Sequence, residues 1–351
     1  MSDLAKTRVS NAYIWRRNFF SVRLDPRTIW ASLALLIAVL IVAIWSISAG
    51  DFPMSIADIF ASFLGEGQKS HDFVIFKLRL PRLLTGLAVG AAFGMSGAIF
   101  QSLARNPLAS PDIIGFNSGA ALGAVIMIIS FGATGFMVAV GAVTGGLLTA
   151  ILVFVLSWKG GLNPYRLVLV GIGIGFTVYA GVSFLMTRTD IFYAAAAQHW
   201  LTGTLNARIW RDVYMTWLGF GLLAPLALGL QMSLNRLEMG DDMARALGIR
   251  INIVRSLMAL IGVLMVSMAV AGAGPIGFVS LVAGPIARRL TLSSGACLGG
   301  AALVGALVLI GADLMGRVAF AAQLPAGVFT AVIGAPFLLW LLATQIRKGA
   351  M

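Results

Sequence analysis

The sequence predicts an all-α polytopic membrane protein with about ten transmembrane helices and an inverted internal repeat. Three observations point there. The 351 residues are 59% hydrophobic and 11% charged, with a mean hydropathy of +0.95, whereas soluble domains are roughly 45–50% apolar and 25% charged. The apolar residues fall into runs of about 20, the length at which a helix crosses a bilayer. Several of the 41 glycines recur four residues apart, a spacing that lets helix backbones approach closely in lipid, where packing replaces the hydrophobic effect as the driving force.

Taken in order, residues 1–28 read as a cytoplasmic N-terminal tail in which Arg16, Arg17, Arg23 and Arg27 precede the first apolar run. That run, 29–49, exceeds a secretory signal core and is expected to be a retained span. Further spans are expected at 82–104, 113–131, 136–157, 165–187, 213–233, 255–273, 275–289, 297–313 and 326–345. The eighth is short and expected to break at Gly284-Pro285. Residues 29–346 thus form one transmembrane domain, with an inside loop at about 234–255 and a cytoplasmic C-terminus at 347–351.

The net charge of +12 is topological. With the N-terminus inside, roughly two-thirds of the 25 lysines and arginines fall in inside segments, as the positive-inside rule demands. Lys69, Lys77, Arg79, Arg82, Arg188, Arg208, Arg211 and Arg317 are left outside. Nucleic acid is not needed to explain the basic balance, and both termini are expected in the cytoplasm of a multi-pass protein of the bacterial inner membrane. The single Cys297 lies in a Gly/Ala run, which excludes a disulfide framework and reads as a small buried residue.

Small-residue faces are expected at Gly86, Gly90, Gly94; at Gly115, Gly119, Gly123; at Gly141, Gly145; and at Gly295, Gly299. The chain also resembles itself. Gly97-Ala98-Ile99 with Phe100 matches Gly274-Pro275-Ile276 with Phe278. Asn106-Pro107-Leu108-Ala109 matches Gly284-Pro285-Ile286-Ala287, and Ser118 to Gly123 matches Ser294 to Gly299. This near-constant offset carries the second span onto the seventh, an odd step that inverts the repeat and suggests a transporter.

Enzymatic chemistry finds no candidates. Gly65 to Ser70 lacks the Walker glycine before Lys69, so ATP is not bound through that motif. Gly171-Ile172-Gly173-Ile174-Gly175 lies within a span, Gly94-Met95-Ser96-Gly97 misses the nucleophile elbow, and His71 and His199 are too few for a metal cluster. No catalytic, cofactor or metal residue is assigned. Asp112, Asp212 and Asp313 fall near span ends, which makes ion-coupled secondary transport the weaker alternative; a nonenzymatic scaffold is another. The most informative polar insertion is the inside loop. Glu238-Met239-Gly240-Asp241-Asp242 starts a short helix with acids at its N-terminus, Gly248 ends it, and a second amphipathic turn is expected to follow. Such a knob suits a cytoplasmic partner; an interfacial amphipathic segment is the other reading.

These residues, with Arg79-Leu80-Pro81-Arg82, Gly97 to Gln101, Asn106 to Pro111, Gly274 to Val279, Ile286-Ala287-Arg288, Asp313 with Arg317, Leu324 to Gly327 and Gly334 to Phe337, resemble the FecCD/BtuC-like permeases for iron-siderophore and cobalamin import by ATP-binding-cassette (ABC) transporters. Ala283-Gly284-Pro285-Ile286 departs from the family, which has His or Gln after the proline. Thr202 to Arg208 and Arg288 to Thr291 look like the ferric-siderophore branch, of the ferric-enterobactin type; cobalamin or haem is the alternative cargo.

The resemblance implies a second permease, identical or paralogous, two cytoplasmic ATPase subunits that use the ATP, a periplasmic siderophore-binding protein and surrounding lipid. This chain itself binds no cofactor. The resemblance also implies an ATPase-coupling surface of Asp241, Asp242, Ala244, Arg245, Leu247 and Gly248. It implies binding-protein docking at Arg79, Arg82 and Arg317, lipid snorkelling being the other reading of those arginines. Asn163, Pro164 and Tyr165 align with an inner gate, although Pro164 and Tyr165 replace the small hydroxyl residues of the cobalamin relative.

Overall fold

The computed structural model describes residues 13–17, 20–50, 52–159, 161–320 and 323–347, and the side chains of those between 25 and 344. In the expected tail, β1 (Tyr13–Arg17) and β2 (Phe20–Leu24) form an antiparallel hairpin pairing Tyr13 with Leu24. All other regular structure among the described residues is helical.

Helix α1 (Pro26–Ser48) starts where Asp25 accepts a hydrogen bond from the Arg27 amide and Pro26 occupies the first turn, which needs no amide donor there. It is followed by α2 (Ile56–Phe63), capped by the reciprocal Ser55–Asp58 pair, and by α3 (Lys69–Phe73). A π-helical turn, Val74–Arg79, leads directly into α4 (Leu80–Ala104). The remaining helices are α5 (Phe116–Phe131), α6 (Phe136–Ser157), α7 (Pro164–Thr187), α8 (Ile191–Leu201), α9 (Trp210–Glu238), α10 (Asp241–Ala246), α11 (Ile251–Ala273), α12 (Val279–Thr291), α13 (Leu298–Val318) and α14 (Ala326–Arg347).

Helices α1, α4, α5, α6, α7, α9, α11, α12, α13 and α14 coincide in order with the ten expected spans. Eight of them are long and apolar enough to cross a bilayer, while α5 and α12 are shorter. Helix α4 is the hub, almost wholly buried, and α1, α9 and α14 are mostly exposed to the surroundings. Exposed Leu, Ile and Trp on those outer helices suit a lipid solvent.

The inverted repeat relates α4 to α7 with α11 to α14. Helix α4 packs against α13 of the second set, and α11 packs reciprocally against α6 of the first. Glycine makes these approaches possible. A methyl on Gly90 would lie 2.6 Å from the Gly305 carbonyl, and one on Gly145 would strike Gly119 and Gly123. The register read from the motifs is corrected, however. Gly97 lies inside unbroken α4, whereas Gly274 caps α11 in a left-handed conformation (φ 78°). Asn106-Pro107 is loop, whereas Gly284-Pro285 is inside α12. Small-residue packing faces match one another at many offsets, and that similarity misled the alignment. Gly299 likewise touches nothing, so Gly295 and Gly299 are not a packing face.

A second correction concerns α12. Helix α12 runs through Pro285, and the interruption lies earlier, at Gly274 to Phe278, where Phe278 has φ 69°. Pro285 frees the Leu281 carbonyl of its helical donor. That carbonyl instead accepts from Gln101 Nε2 of α4 at 2.9 Å.

Candidate functional site

The functional side chains gather at the two ends of the bundle. At the end expected from the charge distribution to face outside, here called the outer end, the π-helical turn and Pro81 carry Arg79 and Arg82 to the mouth of α4, a kind of local irregularity often found at functional positions. Arg82 binds Asp313 of α13 bidentately, Nε to Oδ2 at 2.9 Å and Nη2 to Oδ1 at 2.8 Å. Arg317, one turn along α13, lies 3.4 Å from the same carboxylate and donates to the Ser46 carbonyl at 3.2 Å. Arg79 is buried and donates to the carbonyls of Ile47 at 2.5 Å and Phe52 at 2.7 Å.

The three arginines therefore do come together, along a cavity of about 370 Å³ that Asn206, Arg208 and Gln323 also line. All three side chains are largely buried. Side-chain exposures of 13% for Arg82, 6% for Arg317 and 5% for Asp313 make the cluster a desolvated clamp in which each charge depends on its partner. Asp212, by contrast, accepts from the Ile209 amide at the start of α9, an ordinary helix-terminal role.

At the inner end, α9 continues to Glu238, so the loop proper is only 239–250, and the expected second amphipathic turn is the first turn of α11. Asp241 opens α10. Its Oδ1 accepts from Arg105 Nη2 and, at 2.9 Å, from Arg255 Nη2. Burial pushes the Asp241 carboxyl up, but the Arg105 hydrogen bond and the charges of Arg255 and Arg105 outweigh it and hold the group below the usual aspartate value. Arg288 of α12 adds a second tie, to Glu238 Oε1 and to Ser102 Oγ, both at 2.7 Å.

Ala244 is completely buried beneath α10, which corrects its expected place on the surface. The exposed apolar row consists of Met239, Met243 and Leu247, exposed by 64%, 51% and 48%. Gly248 ends the helix at φ 77° with open space around it. Asp242 pairs with Arg245 at 2.9 Å, both exposed.

Asn163 caps α7, accepting from the amides of Tyr165 at 3.0 Å and Arg166 at 3.3 Å, with Pro164 in the first helical turn. Tyr165 is 79% exposed. Sequence reasoning missed Arg105 and Arg255 as site residues, having counted them only as inside charges. It also missed a polar tie in which half-buried Asp112, in the α4–α5 loop, accepts from Asn117 and from Ser280 Oγ at 2.7 Å beside the break before α12.

Ten helices in the order of the expected spans, eight of them long and apolar enough to cross a bilayer, and reciprocal packing of the two repeated sets define a polytopic membrane protein of the transporter type. The model of the FecCD transport family matches residues 36–344, and the chain belongs to that family. It is 39% identical over 328 residues to the ferric enterobactin transport system permease protein FepG of Escherichia coli, covering 93% of this chain and 99% of that protein. It is 33% identical over 344 residues to the achromobactin transport system permease protein CbrC of Dickeya dadantii, covering 96% and 98%. A solved metal-chelate type ABC transporter in an inward-facing conformation superposes with a TM-score of 0.81 at 30% identity, over 89% of this chain and 98% of that one.

Proposed function

We propose that the chain is the membrane-spanning permease subunit of a bacterial ABC importer that carries a ferric siderophore from the periplasm to the cytoplasm. The observation that carries this reading is the near end-to-end match to FepG. The rest of the assembly follows from the family: a second permease, two cytoplasmic ATPase subunits that consume the ATP, and a periplasmic binding protein, all at the inner membrane with both termini of this chain inside. Asp241, Asp242, Arg245, Leu247 and Gly248, with Met239 and Met243 added and Ala244 as support, form the ATPase-facing surface. Its exposed methionines and leucine suit a groove in a partner.

Arg79, Arg82 and Arg317 form the outer site for a carboxylate of the binding protein, which guanidinium groups hold bidentately. An incoming carboxylate competes there with Asp313. Asn163, Pro164 and Tyr165 form the inner gate. Proteoliposomes holding the chain with its cognate ATPase and binding protein test the reading, with ferric enterobactin as the first probe and a ferric hydroxamate, haem and cobalamin beside it. ATP-dependent uptake of a ferric chelate is expected. Proton-driven uptake by the lone chain, independent of ATP, contradicts it. The docking assignment has its own test: an Arg79, Arg82, Arg317 triple lysine variant loses affinity for the binding protein and shows a shallower salt dependence, whereas wild-type affinity in that variant removes the assignment.

A further inference from the structure

The short turn between α6 and α7 is bound to α11 rather than standing free. Trp158 and Leu162 form an isolated antiparallel bridge, and Leu162 is 2% exposed. Gly161 lies so close to Asn252, in the first turn of α11, that a methyl there would sit 2.6 Å from the Asn252 Oδ1. One turn on, Arg255 is 6% exposed and divides its guanidinium between two distant segments. Its Nη1 donates to the Leu162 carbonyl at 2.6 Å and its Nη2 to Asp241 Oδ1 at 2.9 Å. Its Nε is enclosed and makes no hydrogen bond among the described residues, which hold the head group by those two ends.

One carboxylate, one guanidinium and one carbonyl therefore join the first residue of α10 to the residue before the Asn163 cap of α7, while α10 itself packs against α9 and α11. Charge-assisted bonds of this kind are strong and directional, and a buried carbonyl stripped of its donor is costly. A displacement of α10 that carries Asp241 away pulls Arg255 or releases it, and in either case the Leu162 carbonyl must find a new position or a new donor. A static ion pair has no such consequence, because it ends at its partner.

We propose that Arg255 is a positioning residue that relays movement of α10 to the α6–α7 turn, and so sets the inner end of α7. This rests on the reading of α10 as the ATPase-facing element and of residues 163–165 as the inner gate. A relay is established by coupling measurements and not by adjacency alone. The assembled transporter, with its partner permease, ATPases and binding protein, is prepared in a Cys297→Ala background carrying Leu169→Cys, an exposed site one turn into α7. Maleimide labelling is compared without nucleotide and after trapping with ATP and vanadate.

In Arg255→Met the nucleotide-induced change in labelling is expected to fall about tenfold, with vanadate-trapped nucleotide measured on the same sample to show that the ATPases are loaded. Arg255→Lys, whose ammonium reaches one partner at a time, is expected to lie between. An unaltered labelling change in Arg255→Met overturns the proposal. Should that variant fail to assemble, Arg255→Lys and Asp241→Asn decide: a reduced change supports the relay and an unaltered one overturns it. The double variant Met243→Asp, Leu247→Asp separates this from the underlying reading. If it leaves ATPase binding intact, the coupling assignment is wrong; if it abolishes coupling while Arg255→Met does not, the relay alone is wrong.

Discussion

Each end of the bundle is built around one carboxylate shared by two arginines, yet the two constructions differ in what surrounds them. At the outer end Asp313, Arg82 and Arg317 are almost fully desolvated and belong to two long, closely packed helices, α4 and α13. At the inner end Asp241 is 36% exposed and sits on a six-residue helix, with Arg105 38% exposed and Arg255 7% exposed. Buried charges on long helices make a clamp that holds one geometry. The same chemistry on a short, half-solvated helix makes a tie that holds only as long as that helix stays in place, because elements with few buried contacts open most easily. Under the proposed function, the contrast suits a transporter whose outer mouth keeps its shape while its inner end answers to an ATPase.

The largest effect is expected at the outer clamp. Asp313→Ala leaves two buried guanidinium groups without their anion and should destabilise the protein by about 3–5 kcal/mol, seen as a lowered thermal midpoint in detergent and less protein in the membrane. A midpoint within error of the original would mean that the clamp is not a fixed element. Gly248→Val comes next. Its left-handed backbone (φ 77°) in open surroundings costs a β-branched residue about 1–2 kcal/mol, borne locally by the end of α10. The protein should remain in the membrane and hydrolyse ATP while uptake falls; unchanged uptake would detach α10 from coupling.

Asp241→Asn keeps an acceptor but loses the charge, so a partial loss of uptake is expected. The same group gives a pH prediction. Its folded pKa is depressed, so its contribution is present above the unfolded value of about 4 and is lost as pH falls through the folded one. Coupling should therefore be flat from neutral pH down to about 5, and a decline centred near 6 would assign the pH sensitivity elsewhere. The smallest effect belongs to Arg245→Ala. It removes an exposed pair with Asp242 and should leave the thermal midpoint unchanged, since exposed pairs contribute little to stability.

How far the sequence could be read follows from the range of the forces involved. The ten helices expected as spans were legible because hydropathy is local, and the expected ends fall within a few residues of those found, although α5 and α12 are shorter than the rest. Helices α2, α3 and α8 were missed because they are short and of mixed polarity, although Ser55 and Asp58 spell a capping box three residues apart. The break before α12 was misplaced because Pro285 looks disruptive until Gln101, on another helix, is seen to satisfy the carbonyl it frees. Arg82 and Asp313 were each singled out, but not as partners, since 231 residues separate them. Arg255 carried no local mark, because its role depends on segments 93 and 14 residues away.

The contrast between the two ends is tested most directly by measuring distances between spin labels in the assembled transporter, with and without trapped nucleotide. Labels at Leu78 and Met315, exposed positions beside the outer clamp, are compared with labels at Ala246 and Leu169, which report on α10 and the inner end of α7. The outer distance is expected to keep its distribution while the inner one shifts when nucleotide is trapped. An outer shift with an unmoved inner pair would contradict this.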